Sequence, residues 1–221
     1  MTLGLVIFDC DGVLIDSEPL SRRLLAEEAS ALGWPMDEAV AHRFTGMTWS
    51  ALQPAFEAAI GYRLPAGWPA TLQQRLIARM AAGVPTVAGA RAVLEQTLAL
   101  GLPFRVASNS SHEEMAEKFA RTGLAQLVAG RVHSARDVAR SKPAPDVFLA
   151  AAAAQGVPPS ACVVVEDSGP GIAAAHAAGM RVVAYAPDGL PPGLGRPPHS
   201  VVRALAELPA HFAAAMLDRA A

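Results

Sequence analysis

Four groups of polar residues carry the chemistry this chain could do: Asp9 with Asp11, Ser108 with Asn109, Lys142 alone, and Glu166 with Asp167. Asp9 and Asp11 stand in Asp-Cys-Asp-Gly, directly after the apolar run at residues 3–8. On an extended backbone, residues two apart project to the same side, so both carboxylates should emerge together past the end of a buried strand. Acids held that close repel each other unless a cation or a shared proton intervenes. Ser108-Asn109 follows Phe-Arg-Val-Ala, and Glu166-Asp167 follows Cys-Val-Val-Val, so the placement at a strand exit recurs.

A phosphate monoester is one substrate such a site could take. Its dianion, brought against Asp9 and Asp11, meets repulsion of about 4 kcal/mol per like pair at 4 Å and an effective dielectric near 20. A cation is therefore required. The candidate metal ligands Asp9, Asp11, Asp167 and Glu166 are all oxygen donors, which suits Mg²⁺. The six histidines show no ligand spacing, and neither His nor Cys joins the acids, which argues against zinc. Asp9 could then attack phosphorus as a carboxylate nucleophile. Asp11 is placed to protonate the leaving alkoxide and then to activate water, a role worth roughly 10²–10⁴-fold. Ser108 and Asn109 can donate to the phosphate oxygens, and Lys142 offers a compact charge to neutralise phosphate and nucleophile.

Each group has an ordinary structural reading as well. Asp-Gly is a common turn. Ser108 to Ser111, and Glu166-Asp167-Ser168, could cap helices. A lone lysine is usually a surface residue, and Lys118 is read that way, on a helix. What these readings fail to explain is the joint occurrence of the groups, in order, at strand ends.

The elements that must hold these residues are legible from hydrophobic period and glycine punctuation. Helices are predicted at Pro19 to Leu32, from Asp37 to near Phe44, over Trp49 to Ile60, and on the stripe Leu72, Leu76, Met80. Pro54 should kink or delay the third. From about Val84 strands and helices alternate, with strands at Phe104 to Asn109, Leu127 to Val132, Cys162 to Val165, Arg181 to Tyr185 and an edge strand at Ser200 to Arg203. Residues 187–198, dense in Pro and Gly, read as a loop. The fold class is α/β: a doubly wound parallel sheet with an inserted all-helical region. In such sheets ligands lie outside the carboxyl ends of the strands, at the topological switch point.

Bulk properties narrow the function classes. With 52% hydrophobic and 17% charged residues among 221, the chain can bury a large core. A net charge of −2 without a basic cluster excludes a nucleic-acid face. The N-terminus lacks a basic leader, and its apolar run is broken by Asp9, so no signal peptide is expected. The run Ala150 to Ala154 is too short to span a bilayer. The expectation is a soluble, cytoplasmic protein with free Cys10 and Cys162, no membrane partner and an open oligomeric state. Only two of the 18 basic residues are lysines, which singles out each one.

The four groups resemble the motifs of the haloacid dehalogenase superfamily: Asp9-Cys-Asp-Gly-Val the first, Ser108-Asn109 the second, Lys142-Pro the third, Glu166-Asp167-Ser168-Gly-Pro-Gly-Ile the fourth. The resemblance implies a Rossmann-like catalytic core of residues 1–15 and 86–221 with an inserted all-helical cap at 16–85. It implies Asp9 as nucleophile, Asp11 as acid/base, and Mg²⁺ at Asp9, the Asp11 carbonyl and Asp167, with Glu166 near or in the shell. Dehalogenases of this superfamily lack the second aspartate of the first motif, which Asp11 supplies. Its β-phosphoglucomutases carry a His and a cap Arg where this chain has Ser21 and Trp49. The implied activity is hydrolysis of small phosphorylated sugars or sugar acids through an aspartyl-phosphate. The alternatives are a hexose-phosphate mutase and an idle phosphometabolite-binding protein. Gly46 and Trp49, with Arg22 or Arg23, are the candidate substrate contacts on the cap.

Overall fold

The computed structural model describes residues 2–44, 47 and 49–217. Its centre is a six-stranded, wholly parallel sheet in the order β3-β2-β1-β4-β5-β6. The strands are β1 (Leu5–Phe8), β2 (Phe104–Ser108), β3 (Val132–Ser134), β4 (Cys162–Glu166), β5 (Arg181–Tyr185) and β6 (Ser200–Val202). β1 is buried on both faces, as its unbroken apolar run requires. Val6 and Phe8 join one core with Phe104, Val106, Leu94 and Phe212. Leu5 and Ile7 join the other with Phe148, Val164, Ile172 and Val182.

Among the described residues the α-helices are α1 (Glu18–Ala31), α2 (Glu38–Ala41), α3 (Trp49–Ile60), α4 (Trp68–Ala82), α5 (Ala90–Ala99), α6 (His112–Arg121), α7 (Ala125–Val128), α8 (Asp146–Gln155), α9 (Gly169–Ala177) and α10 (Leu208–Leu217). The first four lie between β1 and β2 in sequence and bury a joint apolar interior. Phe56 stacks on Trp68 at 5.1 Å and meets Phe44 edge-on at 5.5 Å. α1 and α4 are tied by Trp68 Nε1 donating to Glu28 at 3.3 Å and by Arg79 pairing with Glu27. α4 also packs on α6. At the base of this insertion the two passing chains clasp each other: Asp16 N–H donates to Pro85 O (3.0 Å) and Val87 N–H to Leu14 O (3.1 Å), around a bridge between Ile15 and Thr86.

Two expectations need correction. No strand covers Leu127 to Val132. Residues Ala125–Val128 form a short helix, Gly130 turns the chain at φ +69°, and the strand is Val132–Ser134, paired from Val106↔Val132. Glycine's freedom at positive φ ends the turn there and starts the strand later than its apolar residues suggest. Pro54, in turn, does not delay α3, which begins at Trp49 and runs through it. Among the described residues no helix is long and apolar enough to cross a membrane. Cys10 and Cys162 are both buried and free.

Candidate active site

β1 and β4 are neighbours, yet the chain first builds β2 and β3 on one side before crossing to β4. The switch point therefore lies between β1 and β4. Their register sets Phe8 beside Val165, so Asp9 and Glu166 leave the sheet side by side. Asp9 N–H still donates to Val165 O at 2.9 Å, which fixes its backbone to the sheet. One carboxylate oxygen each from Asp9, Glu166 and Asp167 falls within 4.8 Å of the others.

Lys142 sits among these acids, 3% exposed. Its ammonium donates to Asp9 Oδ1 at 2.5 Å, to Glu166 Oε1 at 2.8 Å and to Ala107 O at 3.0 Å, so all three protons are used. It also lies 4.6 Å from the centre of the Phe148 ring. Burial works against its charge, but Asp9 and Glu166 outweigh burial and hold it above the ordinary lysine range. Asn109 serves this arrangement by accepting Lys142 N–H on its side-chain oxygen at 3.0 Å.

Glu166 is fully engaged. Besides Lys142 it accepts from Asp167 N–H (2.9 Å), Ser168 N–H (2.8 Å) and Ser168 Oγ (2.9 Å). Gly171, in the first turn of α9, leaves room for it: a Cβ there would stand 1.7 Å from Glu166 Oε1. Gly12 does the same for Asp167, whose Oδ2 would lie 1.9 Å from a Cβ, and its φ of +80° favours glycine in addition.

The group is a good receptor for a divalent cation on its own chemistry. Three carboxylates face one ammonium, all offer oxygen, and all are drawn back from solvent. Burial, offset by Lys142 and reinforced by Glu166 and Asp11, pushes the Asp9 carboxyl up to about 7. Burial, then Glu166 and Asp9, raise Asp167 well above the usual carboxylate range. Excess negative charge of this kind is what Mg²⁺ neutralises.

The Asp11 carboxylate turns away from that group. It accepts from Lys118 Nζ at 2.6 Å, Ser110 Oγ at 2.9 Å, Ser108 Oγ at 3.4 Å, and from the Ser17 hydroxyl. Burial disfavours its charge, but Lys118 and the hydroxyls prevail and lower it below the usual range.

Lys118 is the residue the sequence reading missed. It is 2% exposed, not on the surface, and its ammonium also donates to Ser110 Oγ at 2.9 Å. The available signal was its face: Glu114, Met115, Lys118 and Phe119 are the buried residues of α6, at helical spacing. Both lysines of the chain thus neutralise one of the two paired aspartates. Replacing Lys118 by Met should lower stability by about 2 kcal/mol, less than a fully buried pair because Asp11 is partly exposed. We expect turnover to fall roughly tenfold to a hundredfold, chiefly in kcat. Urea denaturation beside steady-state kinetics measures both; unchanged kcat would remove Lys118 from the site.

A cavity of about 490 Å³ opens over these residues and is walled on its far side by the helical insertion. Ser108, Asn109, Lys142, Asp167 and both first-motif aspartates border it, as does Ser21. Arg22 and Arg23 do not; Arg22 pairs with Glu18 at 3.1 Å. Gly46 lies outside the described residues, and Trp49 is described only as the first residue of α3.

A family model for a haloacid dehalogenase-like hydrolase matches residues 3–179. A probable pseudouridine-5'-phosphatase from Drosophila melanogaster is 33% identical over 187 residues, 80% of this chain and 79% of its own. Hexitol phosphatase A from Escherichia coli is 31% identical over 179 residues, 80% and 81% of the two chains. Across the curated relatives the matched stretch spans between 17% and 85% of the other protein. Among solved structures, a conserved haloacid dehalogenase-like protein of unknown function from Agrobacterium tumefaciens superposes with a TM-score of 0.82 at 34% identity, over 96% of this chain and 98% of that one.

Proposed function

The chain belongs to the haloacid dehalogenase-like hydrolase family, and within it we propose a Mg²⁺-dependent phosphatase that hydrolyses small phosphorylated metabolites through an aspartyl-phosphate on Asp9. The carrying observation is the buried Asp9–Lys142 pair, 2.5 Å apart, set beside Glu166 and Asp167 at the switch point of the sheet. Phosphatases of sugar-like substrates among the relatives support the same reading.

In this reading residues 1–15 and 86–221 are the catalytic core and residues 16–85 a helical cap, with Gly46 and Trp49 as substrate contacts. Asp9, Asp167 and the Asp11 carbonyl would hold Mg²⁺, and Glu166 orients Asp167 and Lys142 from behind. When bound, Mg²⁺ supplies charge neutralisation between phosphate oxygens and the acids. Lys142 pulls Asp9 toward its ionised form against burial and aims it; Ser108 and Asn109 line the phosphate side. An Asp9 oxygen bonds to phosphorus as the bond to the leaving oxygen breaks, and Asp11 gives that oxygen a proton. Water then attacks the phosphoryl group, Asp11 takes its proton, and phosphate leaves with Asp9 restored. The four donors now on Asp11 favour its ionised form, which is the form the second step uses. The first step uses the protonated form: Asp11 must exchange some of those donors for the substrate's oxygen and carry a proton taken up from solvent, which the water attacking in the second step gives back to it.

Metal removal tests the reading. Phosphate release from sugar phosphates should vanish with chelator and return with Mg²⁺. Mg²⁺ at about a hundred times its Kd should also stabilise the fold by about 2.7 kcal/mol, read by thermal melting. Release that persists in chelator would overturn the metal dependence.

A further inference from the structure

β3, at the edge of the sheet, ends in a buried serine that takes no part in the chemistry above. Ser134 stands beside Ser108 in the β2–β3 register and is 1% exposed. The one proton of its hydroxyl goes to the Ser110 carbonyl at 2.7 Å, and its oxygen accepts Arg136 N–H at 3.1 Å.

Ser110 needs such a tie. Ser108 is fixed by β2, and Ser111 by α6, where it exchanges hydrogen bonds with Glu114 at 2.7 and 3.2 Å. Asn109 and Ser110, between them, belong to neither helix nor strand. Asn109 is held by Lys142 N–H. Ser110 is held at both its main-chain groups: its N–H donates to Ser108 Oγ at 3.0 Å, and its carbonyl accepts from Ser134. The first tie lies within the segment. The second crosses from the neighbouring strand.

The Ser110 hydroxyl carries this placement to the acid. Lys118 donates to it at 2.9 Å, so its own proton must go elsewhere, and it goes to Asp11 Oδ2 at 2.9 Å. The other donor to that oxygen, Ser108 Oγ, stands off at 3.4 Å. Asp11 Oδ1 is taken by Lys118 and Ser17. The direction of Oδ2 therefore depends on where Ser110 stands.

Resting on the assignment of Asp11 as acid and base, we propose that Ser134 is a positioning residue for it: by holding the Ser110 carbonyl, Ser134 sets the hydroxyl that aims the Asp11 carboxylate. Ser134 does not border the cavity, so it acts through Ser110 and not on substrate.

Ser134→Ala should lower kcat about tenfold and leave KM within about twofold, the result of a misaimed acid and an intact binding site. Ser134→Thr keeps the hydroxyl and should restore most of the rate. Ser110→Ala should cost a similar factor. The double variant should lose hardly more than either single one, because both changes break the same contact to Asp11. A serine that serves only to cap the short turn Ala135–Asp137 would give losses that multiply. A second readout is independent of turnover. The chain has two lysines, so ¹⁵N-lysine labelling gives two ammonium signals, one of them from Lys118. Ser134→Ala should displace the Lys118 signal, through its bond to Ser110 Oγ, more than that of Lys142. Losses that multiply, an unchanged kcat in an active enzyme, or a Lys118 signal that stays in place overturns the proposal. A displaced Lys118 signal in a protein whose wild type turns over no phosphate ester supports the tie from Ser134 to Asp11 and removes the phosphatase reading instead.

Discussion

Asp9→Asn protein should release phosphate at least on the order of 10⁴-fold more slowly than the wild type, while folding as well or better. The loss follows from the step that Asn cannot take: an amide oxygen is no nucleophile toward phosphorus, and positioning alone recovers little of what a covalent step supplies. The stability half follows from the surroundings. Asp9 is 7% exposed, and burial together with Glu166 and Asp11 disfavours its charge, with Lys142 alone pulling the other way. Asn keeps the shape and an acceptor for Lys142, and it removes one of three crowded carboxylates. A phosphate assay and a thermal melt of the metal-free protein check both halves. Turnover within tenfold of the wild type would sink the nucleophile assignment.

Lys142→Met is the second large effect, and here fold and activity should fail together. The ammonium is the shared donor to Asp9, Glu166 and the Ala107 carbonyl, and none of the three is open to water. Removing one partner of a buried ion pair leaves uncompensated charge and costs about 3–5 kcal/mol. Methionine fills the space over Phe148 but brings no proton. Turnover should drop about 10³-fold, in line with losing a preorganised donor at a phosphoryl-transfer site. Lys142→Arg should rescue little, since a planar fork cannot point at three acceptors converging on one nitrogen. Urea unfolding and phosphate release give the two readouts. A Lys142→Met protein that is as stable as the wild type would show that the acids are neutralised by other means.

The sheet was legible because its strands announce themselves. Four- and five-residue runs in β1, β2 and β4 end in polar residues, and that pattern locates their carboxyl ends without any knowledge of contacts. β3 was misplaced because a short edge strand carries little hydrophobic signal, and a turn glycine, not an apolar run, sets its start. The same logic divides the site residues. Asp9, Asp11, Lys142 and Asp167 follow strand ends or a proline-restrained loop, where local sequence fixes position. Lys118 projects from the middle of a helix 107 residues after Asp11, and the contact exists only once α6 is packed. What the sequence could not display was where each carboxylate points. Asp9 and Asp11 leave the strand together, yet one faces Lys142 and the acids of β4 and the other faces α6 and Ser17. A pattern of alternation predicts a shared side; it does not predict that two lysines will divide the pair.

The clasp at Leu14, Asp16, Pro85 and Val87 has a consequence for how such a protein can change. The excursion that carries α1 to α4 departs and returns at one point, where main-chain hydrogen bonds close it off from the sheet. Closing a long loop costs only about 0.6 kcal/mol more for each doubling of its length. The segment is therefore detachable in heredity as it is in topology. Residues between the clasp can be lengthened, reshuffled or grafted from another chain while β1 and β4 keep their register and the acids their spacing. On the proposed division into core and cap, recognition and reaction would be stored in separate stretches of the gene, and an ancestor of this chain could have traded one clientele for another without passing through an inactive form.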